Sequence, residues 1–202
     1  MVGKSTGGPM VEVSGLSGAA IRQYAESVFN VPEYRSIRAT IDSGVKVDRF
    51  VELLGGRIMI DDTPRARLSV ATRGDFVIRI PASSHPLYQR QLIAHELGHY
   101  FLHYLYPRRQ GQLEACFTGT PEPAEIEANR YAMSLLVPTE DYRQASRDAR
   151  KALEARASWN LVGSPPTPSD INYLAAIYLQ VPFHMVEGIL QLFPDMGGVD
   201  EV

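Results

Sequence analysis

The sequence predicts an α+β fold: a small antiparallel sheet packed against a helix that carries His95-Glu96-Leu97-Gly98-His99 and a second helix that carries glutamates, with a helical C-terminal portion. Three observations predict it. Strand-like runs crowd into residues 57–81, separated by glycine-containing turns. Two segments with apolar residues at helical spacing follow, near 87–105 and 124–137, and each is stopped by a proline. Beyond them the periodic segments read as helix as far as about residue 192.

Residues 1–15 are rich in glycine and small polar residues and have no apolar period, so a flexible tail is expected there. Residues 16–140 form the expected core. Ser17 is placed to cap a helix from Gly18 to about Phe29, whose Ile21, Tyr24, Ala25 and Val28 share a face. A short helix follows over about Lys46 to Leu54, ended by Gly55-Gly56. Strands are expected at Arg57 to Asp61, Ala66 to Thr72 and Phe76 to Pro81, the last two joined by a hairpin at Arg73-Gly74-Asp75. A helix from Leu87 to Leu105 ends before Pro107, and a loop spans residues 108–123. The next helix, Ala124 to Val137, stops at Pro138. Residues 141–202 are expected as a helical portion packed on the core: a polar helix to about Ala157, a proline-rich linker at 163–168 and a helical pair over Ser169 to Leu192.

Composition narrows the chemistry. With 202 residues, 45% of them hydrophobic, the chain can bury a substantial core. A net charge of -3 gives no overall attraction to nucleic acid or to an anionic membrane. Cys116 is the only cysteine, so an internal disulfide and an all-cysteine metal site are excluded. A lone cysteine between Ala115 and Phe117 reads as a small buried hydrophobe, and Arg108-Arg109 as a solvated helix end. The N-terminal residues lack the apolar core of a secretory signal, and no apolar run reaches the roughly 18 to 20 residues that span a bilayer. A cytoplasmic protein is expected, with no membrane partner.

His95 and His99 stand four apart, on one helix face one turn apart, and can aim imidazole nitrogens at one cation. Glu96 is rotated about 100 degrees from His95. It is poorly placed as a ligand but near enough to take a proton from a water at the metal, so it is the expected general base. A catalytic zinc takes three protein ligands and keeps one position open. The third ligand is sought in Glu125-Ile126-Glu127-Ala128-Asn129, which opens the next helix. Glu125 is preferred because Asn129, one turn on, can then hydrogen-bond a ligating histidine; Glu127 stays open as the alternative. His103 continues the four-residue ladder. A straight helix rises about 6 Å per step, so a third histidine cannot reach the same ion. It either orients a ligand or packs at the helix end.

HELGHYFLH followed by EIEANRYAMSLLVP resembles the ImmA/IrrE family of metallopeptidases, within the gluzincin group. The likeness spans roughly residues 45–140, and the segment from Ile171 to Pro182 resembles the helical tail of many members. The resemblance implies Zn2+ held by His95, His99 and Glu125, with Glu96 catalytic. It also implies cleavage of a helix-turn-helix transcriptional repressor that controls stress or mobile-element genes. Tyr131 stands where the family often has Phe, and no helix-turn-helix domain is recognisable before the core.

Other roles rest on weaker patterns. Tyr131, Tyr173 and His184 are chemically able to stabilise an oxyanion. The strand at Phe76 to Ile80 could pair with an extended substrate if it lies at the sheet edge; the competing reading puts it inside the sheet. Two non-enzyme alternatives are a catalytically silent zinc-containing sensor or scaffold and a DNA-binding regulator. The scaffold reading leaves Glu96 without a purpose. The regulator would use the helix pair around Leu174 to Gln191, but its second helix holds Glu187 and lacks Lys and Arg, so direct nucleic-acid binding is disfavoured.

Overall fold

The computed structural model describes residues 17–27, 46–105, 122–159 and 165–196. The tail at 1–15, the loop at 108–121 with Arg108, Arg109 and Cys116, and the linker residues 163 and 164 lie outside the described residues. The first helix, α1 (Gly18–Ser27), opens with the Ser17 hydroxyl accepting the Ala20 N–H at 3.2 Å and buries Ile21 and Ala25. Helix α2 (Val47–Leu53) buries Val47, Phe50 and Val51. The chain then turns at Gly55, where φ is +81° and a Cβ would sit 2.2 Å from the Gly74 carbonyl oxygen. Only glycine fits there.

Three strands follow: β1 (Gly56–Asp61), β2 (Arg67–Thr72) and β3 (Asp75–Pro81). The α+β class holds, but the sheet is mixed, with order β1-β3-β2. β2 and β3 form the expected antiparallel hairpin, turning at Gly74 with φ +80°, whereas β1 runs parallel to β3 in the register Gly56↔Phe76 to Asp61↔Pro81. This corrects the expectation of a wholly antiparallel sheet, and the edge position considered for the Phe76 to Ile80 strand falls with it. The reason is apolar content: Phe76, Ile78 and Ile80 are fully buried, so β3 takes the centre and the half-exposed β1 and β2 become the edges. The ion pair of Arg79 Nη1 with Asp61 Oδ2 at 2.5 Å links β3 to the end of β1 and holds the Asp61 carboxyl below its usual range.

Helix α3 (Pro86–Gly98) starts with Pro86 in the first turn and His85 as its cap, the ring Nδ1 accepting the Leu87 N–H at 3.3 Å. Its continuation, His99–Leu105, is π-helical, and all seven of its side chains are buried. The sequence predicts regular α-helix here. A segment buried on every side gives no solvent face for periodicity to report, and widened turns of this kind occur inside α-helices at functional sites. The Tyr100 hydroxyl accepts the Gly74 N–H at 3.1 Å, pinning the π-segment to the hairpin turn.

Helix α4 (Glu122–Leu136) crosses α3 at Gly98, where a Cβ would stand 2.9 Å from both Cα and O of Ala128. The glycine of the His-Glu-Leu-Gly-His segment therefore sets how closely the two helices approach. Helix α5 (Thr139–Trp159) follows Pro138, and its Tyr142 hydroxyl donates to Asn172 at 2.8 Å. Asn172 lies on α6 (Pro168–Leu179), which starts in a Thr167–Asp170 capping box and ends at Gln180 with φ 53°. Then come α7 (Phe183–Leu192) and a single 3-10 turn at Pro194–Met196. Arg90 of α3 donates to the carbonyls of Leu179 and Gln180 at 3.0 and 2.6 Å, so the end of α6 is capped by the helix that bears the histidines. One apolar core runs from α1 and the sheet through the π-segment to α7. Among the described residues no single helix is long and apolar enough to cross a membrane.

Candidate metal centre

His95 sits in the last turn of α3, His99 opens the π-segment and Glu125 lies in the first turns of α4, so the α3–α4 crossing at Gly98 brings all three together. Their ligating atoms lie within 4.8 Å of one another. His95 Nε2 is 3.0 Å from His99 Nε2 and 3.1 Å from Glu125 Oε2, and His99 Nε2 is 3.4 Å from Glu125 Oε1. A tetrahedral ion with bonds of about 2.0–2.1 Å sets its ligand atoms about 3.3 Å apart. The observed spacing and the donor set of two imidazoles and a carboxylate therefore fit a divalent cation.

The Asn129 Oδ1 lies 2.9 Å from His95 Nδ1, on the ring nitrogen turned away from the cluster. This is the contact expected of a residue one turn beyond Glu125. Glu127 does not enter the cluster. Its carboxylate meets His103 Nε2 at 3.1 Å, while His103 Nδ1 lies 3.0 Å from His99 Nδ1. His103 and Glu127 are both buried.

Glu96 is buried beside the cluster, and its carboxyl is pushed up to about 7. Burial is the main cause and the negative charge of Glu125 adds to it, while a hydrogen bond with the Leu68 backbone works the other way. Burial, reinforced by His95 and His103, pulls His99 well below the usual imidazole range. His103 is lowered for the same chief reason, against the opposing effect of Glu127. Both rings are thus held neutral, the form in which imidazole can ligate a metal.

The three oxyanion candidates lie on three different helices. Tyr131 is buried and stacks on Phe101 with ring centroids 5.6 Å apart. Tyr173, on α6, is exposed and meets Phe183 edge-on, and His184, on α7, stacks on Tyr88. Sequence reasoning missed the Leu68 backbone at Glu96 and the pairing of His103 with Glu127. The four-residue ladder placed His103, but nothing local to it signalled a partner 24 residues away.

Residues 57–163 match the family model described as IrrE N-terminal-like domain, peptidase M78. The chain belongs to this family. The matched IrrE-like region takes in the three strands but for Gly56, the His95–His99 segment, Glu125 and the whole of α5, and membership supports a metallopeptidase-type function. A search among curated proteins gave no match.

Proposed function

We propose that this IrrE-like chain is a zinc-dependent endopeptidase in which His95, His99 and Glu125 hold the ion and Glu96 is the general base. The observation that carries the reading is the convergence of two imidazole nitrogens and a carboxylate at mutual distances of 3.0 to 3.4 Å beside a buried glutamate. Two histidines and one carboxylate leave a fourth position free, the arrangement of catalytic rather than structural zinc. When bound, the ion supplies Lewis acidity toward the scissile carbonyl and makes water nucleophilic near neutral pH.

The chain's own groups do the rest. Glu96, with its carboxyl at about 7, is matched to accepting a proton from the attacking water and returning it to the leaving amine. Asn129 fixes the ring of His95. The Leu68 backbone, bonded to Glu96, brings the outer edge of β2, which pairs with no further strand among the described residues, beside the base. An extended substrate pairing along that edge would present its peptide bonds to the centre, which moves strand addition from β3 to β2.

The finer reading is that the substrate is a helix-turn-helix repressor, cut at a specific site in the cytoplasm. Its support is the likeness of HELGHYFLH and EIEANRYAMSLLVP to the ImmA/IrrE peptidases. The test measures metal content together with cleavage of a co-expressed helix-turn-helix repressor from the same locus, for the native protein and Glu96→Gln. Both proteins should hold one zinc and only the native one should cut. Zinc in both, with no cleavage of any repressor or generic peptide by either, would put the silent sensor or scaffold ahead.

A further inference from the structure

We propose that Glu127 and His103 form a relay that fixes His99 as a ligand: the Glu127 carboxylate sets which ring nitrogen of His103 carries the proton, and His103 in turn sets the proton of His99. This rests on the reading of His95, His99 and Glu125 as the metal ligands.

The chain of contacts is Glu127 Oε2 to His103 Nε2 at 3.1 Å, then His103 Nδ1 to His99 Nδ1 at 3.0 Å. The side chains of His103 and Glu127 are 2% and 8% exposed, so the contacts form away from bulk water, where polar groups need protein partners. A carboxylate can only accept, so His103 donates from Nε2–H. A neutral imidazole has one ring proton, and His103 Nδ1 is then an acceptor. It takes the Nδ1–H of His99, which leaves a bare lone pair on His99 Nε2, the atom that faces His95 and Glu125.

Asn129 does the same from the other side. Its Oδ1 accepts the Nδ1–H of His95, and the His95 Nε2 lone pair is left facing the cluster. Two lone pairs and a carboxylate thus meet at 3.0 to 3.4 Å with no proton among them. That arrangement is repulsive without a cation and is relieved by one. The opposite proton order would set a lone pair of His103 against the buried Glu127 carboxylate. A ligating histidine ordinarily passes its second N–H straight to a carboxylate or carbonyl, whereas here a second histidine stands between and carries the charge's influence to the ligand. His103 and Glu127 are positioning residues that act through His99.

Two measurements test the relay, and neither depends on peptide cleavage. In the first, zinc affinity is read by competition with a chromophoric chelator for the native protein, Glu127→Leu and His103→Phe, with urea unfolding in excess chelator to confirm that each variant folds. Both variants should lose affinity by about 10- to 100-fold. Affinities within twofold of native overturn the relay. The second uses the zinc-loaded native protein alone: two-bond 15N–1H correlation spectra should show His103 protonated on Nε2 and His99 on Nδ1, and a proton on His103 Nδ1 overturns the proposed order. A native protein that binds no zinc overturns the peptidase reading and the relay together; tight native binding left unchanged in both variants overturns the relay alone.

Discussion

Replacing Glu96 by Gln in the metal-free protein should raise its stability at neutral pH and leave it unchanged in acid. The folded protein holds the Glu96 carboxyl at about 7 against an ordinary 4.5. Between those values the unfolded chain has lost the proton and the folded chain keeps it. The folded state then binds more protons, and stability falls as pH rises. The contribution is complete below pH 4.5 and gone above about 7. A shift of about 2.5 pH units at about 1.36 kcal/mol each makes the loss about 3 kcal/mol, a large share of a typical total of about 5 to 15 kcal/mol. Glutamine keeps the shape and can still accept from the Leu68 backbone but never ionises. His99 and His103 act in the opposite sense, because their lowered values add stability as pH rises through the acid range. The charges that act on His99 come from His95, His103 and Glu125, so this part is common to both proteins and cancels in the difference. Urea unfolding in excess chelator, repeated from pH 4.5 to 8, reads that difference. The variant should match native at pH 4.5 and exceed it by about 3 kcal/mol at pH 7.5. A gap that stays within about 1 kcal/mol across the range would refute the burial argument for Glu96.

Three further outcomes follow from the packing. Gly98→Ala puts a methyl 2.9 Å from the Ala128 backbone, which cannot swing aside as a side chain could. It should cost about 1 to 3 kcal/mol in urea unfolding and spread α3 from α4, and zinc content should fall with it; full zinc content would show that the crossing does not set the centre. Asn129→Ala should lower zinc affinity by about 10- to 100-fold, read by chelator competition, with little change in metal-free stability, since the lost contact only orients His95. Val77→Pro breaks the central strand, because β3 is flanked by β1 and β2. It should unfold the protein by circular dichroism, and a folded variant would argue against the central placement of β3.

What the sequence made legible was local. Ser17 as a cap, Gly55-Gly56 as a stop, the Gly74 hairpin and Pro138 as a break each act within a few residues, and each stands where the pattern put it. The spacing of His95 and His99 belongs to the same class, since helix geometry alone lays them on one face. The sheet order is different in kind. A meander of β1, β2 and β3 and the observed β1-β3-β2 order share the same alternation; Phe76, Ile78 and Ile80, fully buried on one face, lie in the strand that the structure puts at the centre.

The π-segment, the Leu68 contact with Glu96 and the pairing of His103 with Glu127 were hidden for a related reason. Leu68 reaches Glu96, and Glu127 reaches His103, only because the hairpin and α4 are pressed onto one helix from different directions. Gly98 and the Tyr100 to Gly74 bond are the two points that press them there. His99 lies directly between Gly98 and Tyr100 in the chain, at the point where α3 widens into the π-segment. The turn that passes from the α4 contact to the hairpin contact is thus the one that presents His99 Nδ1 to His103 and Nε2 to His95 and Glu125. The two packing contacts thus flank a residue of the candidate metal centre, and a change that relaxes either contact should be felt first at His99.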